Sequence, residues 1–474
     1  MIALAIWPGS QKGVSGPEVR VDTTPVERGS GLTTSFAPIV KQVAPSVVTI
    51  YTTRIVRNIE RDPFFEFFFG RRPGLGGPPS QEQGLGSGVI VSSDGYILTN
   101  HHVIEGVDAI RVRLNENQNA EFDAKVVGSD AATDIAVLKV EAKDLPAAIL
   151  GDSSAAEVGD VVLAIGNPFN IGQTVTLGII SAKGRQLPPD RMFSSMAYQD
   201  FIQTDASINP GNSGGALVDA AGRVIGINTA IFSQTGGNLG IGFAVPINLA
   251  REVMTQLIST GRVARGFLGV EIQEIDDDLA RQFGLAEPRG VLITGVTPGG
   301  AAAEGGLKRR DVIVEFNGQP VANVQELRFS VARVPPGQKA SVKVIRDGKS
   351  RTVQVTLQDR DRAVAGGLPV PTPTPPPAEP DRFAGMELAD LTPMLAQQFR
   401  IDPKAKGALV VAVESGSPAA LAEIQPGDLI TEIADQPIDS VASAVKAVRS
   451  IKTDRVLLFV MRGGTGRYIL LKGI

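Results

Sequence analysis

Asn209-Pro210-Gly211-Asn212-Ser213-Gly214-Gly215 is a loop of small residues around one serine, and it runs into the apolar stretch Leu217-Val218. Its glycines permit backbone angles and close approaches that side chains would prevent, so a substrate carbonyl can reach the hydroxyl. The N–H groups of Gly211 and Ser213 can point into one small anion site. A serine hydroxyl needs a base at neutral pH. The only two imidazoles in the chain, His101 and His102, stand well upstream in Thr99-Asn100-His101-His102-Val103. Together these segments describe a site for cutting acyl bonds.

Around them the sequence is punctuated into short strands. Ser46–Thr52, Gly86–Val91, Tyr96–Thr99 after a Ser93-Asp94-Gly95 turn, Ile135–Val140, Val161–Ile165 and Val224–Asn228 are β-branched or alternating runs bounded by turn residues. With 53 Gly, 32 Pro and 5% aromatic residues, the composition favours strands and turns over a helical bundle. The fold class expected is mainly β, built as barrels or sandwiches rather than βαβ units. After Pro246, Leu249, Val253, Met254 and Leu257 carry a helical period that stops at Gly261, which closes the first domain.

Bulk properties exclude several function classes. The net charge of −4 gives no reason to expect nucleic acid as a partner. Without cysteine there is no disulfide framework, thiol nucleophile or thiolate metal site. Two adjacent histidines cannot supply imidazole ligands from separate elements, so no metal site is expected, and no cofactor. Met1 to Pro8 is apolar but too short for a full export signal and lacks a basic leader, which fits a truncated signal or a misplaced start. No later run is long and apolar enough for a transmembrane segment.

The second half contains a repeat. Gly290-Val-Leu-Ile-Thr-Gly-Val-Thr-Pro-Gly-Gly-Ala-Ala-Ala aligns without a gap on Gly407-Ala-Leu-Val-Val-Ala-Val-Glu-Ser-Gly-Ser-Pro-Ala-Ala, and the match continues through Asp311 and Asp428 to Gln319-Pro320 and Gln436-Pro437. Two copies at a domain-sized spacing mean two similar modules. The expected organisation is a flexible segment 1–35, a catalytic domain 36–260 with a long Phe/Pro/Gly-rich loop at 60–83, modules at 265–360 and 383–474, and a stiff Pro-rich linker at 361–382 between them. Arg310 stands at a turn position that Gly427 fills in the second copy.

The base needs an acid to fix its tautomer. Asp134, at the mouth of the apolar strand Ile135–Leu138, is the best candidate; Asp130 lies in a turn, Asp152 opens another, and Asp205 is better placed to shape the serine loop or a subunit contact. In an extended segment adjacent side chains face opposite ways, so one histidine meets Ser213, and His102 is the choice.

The motifs Thr99–Val103, Thr133-Asp134-Ile135-Ala136 and Asn209–Gly215, followed by two modules, resemble the HtrA family of Do-like serine proteases over residues 35 to 474. The resemblance implies a chymotrypsin-like double β-barrel protease domain followed by two PDZ domains. His102 would be the general base, Asp134 its orienter and Ser213 the nucleophile, with backbone N–H groups of Gly211, Asn212 and Ser213 forming the oxyanion hole. Where this chain has His101 the family often has Asn. Segments 166–176, 185–196 and 230–238 would order on activation, and Asn238, Leu239, Gly240, Ile241 and Gly242 would line the primary specificity pocket. No acid occurs there, so small or medium apolar side chains are the expected preference.

In the first module Arg265, Gly266, Phe267, Leu268 and Gly269 look like the loop that binds a peptide carboxylate while the peptide adds a strand. Glu387 in the second copy replaces a small residue and argues against that role there. The resemblance further implies an ATP-independent periplasmic endopeptidase of the cell envelope acting on unfolded or mislocalised polypeptides, with chaperone activity, assembled as a homotrimer or larger cage in which the Phe64–Phe69 loop meets neighbouring sites. The absence of a Gly-x-x-x-x-Gly-Lys-Ser/Thr loop agrees with ATP independence. A PDZ scaffold with an idle barrel and a small-molecule esterase are the competing readings.

Overall fold

A computed structural model describes residues 17–24, 35–55, 81–114, 120–167, 172–187, 196–209, 211–231, 239–360, 381–451 and 453–473. It divides into two compact units, residues 1–263 and 264–474.

The first unit holds two closed six-stranded barrels. One is built from β1 (Val47–Ile55), β2 (Gln81–Ile90), β3 (Tyr96–Thr99), β4 (Ala109–Arg113), β5 (Glu121–Asp130) and β6 (Ile135–Val140). The other uses β7 (Val161–Gly166), β8 (Thr174–Arg185), β9 (Phe201–Thr204), β10 (Ala216–Asp219), β11 (Val224–Ile231) and β12 (Gly242–Pro246). Closure leaves no sheet edge unpaired, so every strand can be apolar on its inner face. Val89, Leu98 and Val137 of the first barrel share one buried cluster with Leu163, Phe201 and Val245 of the second. The helix Ile247–Thr260 seals that seam, burying Val253, Met254 and Leu257, and ends at Gly261 in the left-handed region with its N–H on the Leu257 carbonyl. Full burial of a side chain such as Leu257 stabilises by about 2 kcal/mol.

Two expectations need correction. Part of the segment 1–35 is docked. Val21 forms a parallel bridge with Leu150 and Val19 packs on the core, while the Asp22 N–H donates to the Leu150 carbonyl and the Leu150 N–H to that of Arg20. Backbone pairing of a few residues holds it where composition alone suggested none. The loop expected at 60–83 ends earlier, because β2 begins at Gln81 and pairs with Ile55.

The second unit contains both modules. In the first, β14 (Val270–Glu274), β15 (Val291–Val296), β16 (Val312–Phe316), β18 (Lys339–Arg346) and β19 (Lys349–Thr356) form the sheet, with β17 (Gln319–Pro320) on β16. A separate pair joins β13 (Gly266–Phe267) to β20 (Gln358–Asp359). In the second, β21 (Asp381–Phe383), β22 (Met386–Asp390), β23 (Ala408–Val413), β24 (Leu429–Ile433), β26 (Arg455–Arg462) and β27 (Thr465–Lys472) follow in order, with β25 (Gln436–Pro437) on β24.

The repeated aspartates explain the repeat. Asp311 and Asp428 are fully buried. Each carboxylate accepts two hydrogen bonds from an arginine on the later strand, Arg346 at 2.5 and 2.6 Å and Arg462 at 2.6 and 2.6 Å. Each also accepts the N–H three residues earlier, Lys308 or Gln425, at 2.9 and 3.0 Å. Bidentate pairing with satisfied lone pairs is the arrangement in which a buried charge survives desolvation. Arg310 and Gly427 both adopt left-handed backbone, so the turn is the same in both copies.

The two modules pack on each other within this unit. Leu292 and Val312 of the first share a buried cluster with Leu457, Phe459 and Tyr468 of the second. The Gln273 amide bonds both backbone groups of Tyr468, at 3.0 and 2.8 Å. Arg309 pairs with Glu432 and lies over the Phe459 ring, while Arg310 and Lys472 reach Asp435 and Asp278 across the same boundary.

Candidate active site

His101 and His102 open a short helical turn, His101–Ile104, rather than sitting in extended chain as the strand pattern suggested. Asn100 is the last extended residue, and from the turn His102 meets Asp134 while His101 meets Glu105. The His102 ring Nδ1 lies 2.8 and 3.0 Å from the two oxygens of Asp134. A carboxylate can only accept, so Nδ1 carries the proton and Nε2 is left with a lone pair. The His102 backbone N–H donates to the same carboxylate at 3.0 Å, and the His101 N–H donates to the Asp134 carbonyl at 3.2 Å.

Asp134 is 1% exposed and has φ of 58°, a left-handed conformation that a non-glycine residue enters at a cost. Asp130 accepts the Thr133 N–H and hydroxyl within its own turn. Asp205 receives the Ile179 N–H at 2.7 Å and shapes the β8–β9 junction.

Ser213 is buried, and its hydroxyl donates to the Thr229 carbonyl at 3.1 Å. Gly211 and Gly214 take φ of 101° and 83°. Of the three N–H groups expected to form an anion hole, that of Asn212 donates to the Asn209 carbonyl at 3.0 Å and is committed to the turn itself. Among the described residues the N–H groups of Gly211 and Ser213 make no backbone hydrogen bond.

Several positioning residues escaped the sequence reading. The Ser87 hydroxyl donates to the Gly211 carbonyl at 2.6 Å and accepts the Asn167 N–H at 2.9 Å, while the Ser87 backbone N–H donates to the Ser213 carbonyl at 2.8 Å. Thr99 donates to the Ser87 carbonyl. The Asn100 amide bonds both the Asp134 carbonyl and the Thr229 hydroxyl. These bonds stitch the serine loop of one barrel to the histidine turn of the other. Their partners lie 12 to 129 residues apart, so no local pattern announces them.

Beside the site, His101 makes an ion pair with Glu105 at 3.6 Å. Burial works against the His101 imidazolium, but the bond to Glu105 and the nearby carboxylates of Asp134, Glu105 and Asp130 together leave it titrating above its ordinary value. The same bond holds Glu105 below its own. The Glu105 contribution to stability is present above pH 4.5 and is lost as pH falls through the lowered value. The His101 contribution is present below pH 6.5 and is lost as pH rises through the raised value. The melting-temperature difference between the protein and Glu105→Gln is therefore expected to be largest between those two limits and to shrink on either side. A difference that is flat with pH removes the pair as its source.

Of the expected specificity pocket, Asn238 lies outside the described residues, as do the Phe64–Phe69 loop and the centres of segments 166–176, 185–196 and 230–238. Leu239 is 64% exposed, Gly240 has φ of 80°, Ile241 packs against the barrel seam, and Gly242 pairs with Thr204 in β12. In the first module Arg265 and Leu268 are buried. Gly266 packs so tightly on the helix Val324–Arg333 that a Cβ would lie 2.5 Å from the Val334 carbonyl. The Leu268 and Gly269 carbonyls are held by the N–H groups of Ala302 and Thr297.

A model of the trypsin-like peptidase domain matches residues 86–227, and PDZ-domain models match 266–357 and 409–462. The chain is 42% identical over 464 residues to "Probable periplasmic serine endoprotease DegP-like" of Pseudomonas savastanoi pv. phaseolicola, covering 92% of this chain and 93% of that one. The chain belongs to the HtrA family. The Chlamydia muridarum relative of the same description is 42% identical, covering 87% of this HtrA chain and 79% of its own. Among solved structures, the HtrA-type protease AlgW with tripeptide is 47% identical at a TM-score of 0.59, covering 69% of this chain and 97% of that one. The serine endoprotease from Yersinia pestis is 39% identical at a TM-score of 0.50, over 69% and 99%. The double β-barrel followed by PDZ domains is thus the expected one, and this HtrA protein is a serine endoprotease of the periplasm. No helix among the described residues is long and apolar enough to cross a membrane.

Proposed function

We propose that this HtrA protein cleaves unfolded or mislocalised polypeptides without ATP, through an acyl-enzyme on Ser213. The observation that carries the reading is the His102 ring fixed on both oxygens of Asp134, which leaves Nε2 as a base. For attack the Ser213 hydroxyl turns from the Thr229 carbonyl toward Nε2 and gives up its proton there. Its oxygen bonds the scissile carbonyl carbon, and the N–H groups of Gly211 and Ser213 receive the oxyanion. Collapse breaks the C–N bond, and the proton on Nε2 passes to the leaving amine. Water then enters by the reverse sequence and frees Ser213.

The first PDZ module supplies substrate by capturing a chain terminus. The carboxylate meets the loop Arg265–Gly269, and the peptide lies along β14, whose outer edge carries no strand among the described residues. Assembly as a homotrimer and chaperone activity belong to the same reading. In nucleotide-free buffer the purified chain is expected to degrade casein, and a fluorophosphonate probe is expected to label Ser213 alone. Intact casein together with an unlabelled serine overturns the proposal, and rapid turnover of simple esters with no cut polypeptide favours an esterase.

A further inference from the structure

The two PDZ modules differ at one strand. Their loops are anchored alike: the Gly269 and Gly385 carbonyls accept Thr297 and Glu414, and the Leu268 and Ala384 carbonyls accept Ala302 and Ala419. The far ends of the two grooves are also tied alike. Glu274, ending β14, accepts the Val324 N–H at 3.0 Å, and Asp390, ending β22, accepts the Val441 N–H at 2.6 Å. Each acid thus joins the strand to the start of the facing helix, Val324–Arg333 or Val441–Arg449.

What precedes the loop goes to different places. In the first module β13 leaves to pair with β20, and the outer edge of β14 stays open among the described residues. In the second, the chain folds straight back. β21 pairs antiparallel with β22, Asp381 opposite Leu388, Arg382 opposite Glu387 and Phe383 opposite Met386, and β21 also lies against the helix Val441–Arg449. The turn between them is Ala384-Gly385, with φ of 50° and 83°. Two consecutive positive φ angles define the two-residue hairpin whose twist matches paired strands. In the first module only Gly269 of the matching pair is left-handed. Phe383 anchors the hairpin by packing on the module's core.

We propose that β21 occupies, within its own chain, the strand position an extended peptide would take on the second PDZ module, so that this module holds a latent site for a peptide C-terminus that opens when Asp381–Phe383 detaches. The ligand is the same class the first module accepts, and the proposal rests on that reading of the modules. An edge already paired cannot accept another strand, since its outward N–H and C=O groups are committed. The hairpin also has a built-in weak point: Ala384 sits in the left-handed region, where an L-residue other than glycine is disfavoured by about 1 kcal/mol. Glu387, the residue that argues against carboxylate binding by this module, lies opposite Arg382 in the closed form, and that register is lost when β21 leaves.

The test uses the full chain carrying Ser213→Ala, so that peptide is not consumed, and a fluorescein-labelled peptide of about ten residues ending in a free Val carboxylate. Titration calorimetry should give one peptide per chain. Arg382→Pro with Phe383→Gly, which removes strand geometry and the anchor, should raise that to two. Arg382→Cys with Glu387→Cys, in a chain that has no other cysteine, should hold it at one when oxidised. Two peptides per chain with the disulfide closed overturn the proposal. So does one peptide per opened chain whose β23 and β24 amides keep their protection from hydrogen exchange. If the opened variant loses that protection, the cysteine pair decides. Saturating peptide should then speed exchange at residues 381–383 in the reduced form and leave the oxidised form unchanged; equal exchange in both overturns the idea. No binding to the resting chain but one peptide on the opened chain would retract the first-module reading and leave this one standing.

Discussion

Ser213→Ala is expected to lower casein turnover by about 10⁶-fold while leaving the melting temperature within a degree or two. The size follows from the way the three side chains act as a unit. Without Oγ there is no atom to form the acyl-enzyme, and the His102–Asp134 pair, set at 2.8 Å, has no proton to collect. Stability should hardly change, because among the described residues the lost group makes one hydrogen bond, to the Thr229 carbonyl, and a neutral bond of that kind contributes about 1 kcal/mol. Asp134→Asn should fall less far, by about 10⁴-fold, because an amide can offer its N–H to Nδ1 and fix the wrong tautomer. Gel-resolved proteolysis with melting curves measures both. Undiminished casein cleavage by Ser213→Ala would assign the chemistry to another residue.

Gly214→Ala should abolish activity by a different route, by unseating the loop. Gly214 has φ of 83°, and a Cβ placed on it would lie 2.0 Å from the Ser87 carbonyl oxygen and 2.3 Å from the Thr99 hydroxyl. Neither is the far end of a flexible side chain. Backbone must move, and what moves is the strand whose N–H holds the Ser213 carbonyl. A clash with backbone added to a left-handed angle is expected to cost on the order of 3 kcal/mol or more. The melting temperature should therefore fall by several degrees along with activity, which separates this variant from Ser213→Ala. A folded, fully active Gly214→Ala with an unchanged melting temperature would mean that β2 and β3 of the first barrel do not press on the loop.

The proposed reacting groups are visible in the sequence because catalysis demands particular residue types. Two histidines, a serine inside Gly211-Asn212-Ser213-Gly214-Gly215 and an aspartate opening an apolar strand leave few combinations. The two modules are visible because a gapless repeat survives in primary structure. The supporting bonds are hidden. Ser87 looks like any strand serine, and its role depends on a loop 124 residues later. Asp311 and Asp428 stand out in the repeat, but their arginine partners, 35 and 34 residues downstream, carry no mark of pairing. The expectation that Asn212 would donate to an oxyanion fails for a local reason: its N–H closes a turn onto Asn209. The strand ending at Leu98-Thr99 suggests that extended chain continues through both histidines, whereas the backbone turns helical at His101. The Phe383-Ala384-Gly385-Met386 hairpin is equally silent, since alanine is not a residue from which a left-handed turn is read.

The packing of one PDZ module on the other bears on how such a protein can be shortened. A chain stopped after Asp359 would keep a complete first module, with its own Asp311–Arg346 clasp, but would bare Leu292 and Val312, which are now wholly covered. That newly wet face would be sticky. Gene truncation to a single module therefore asks for compensating polar substitutions on β15 and β16, and a polypeptide trimmed without them should cling to its own kind.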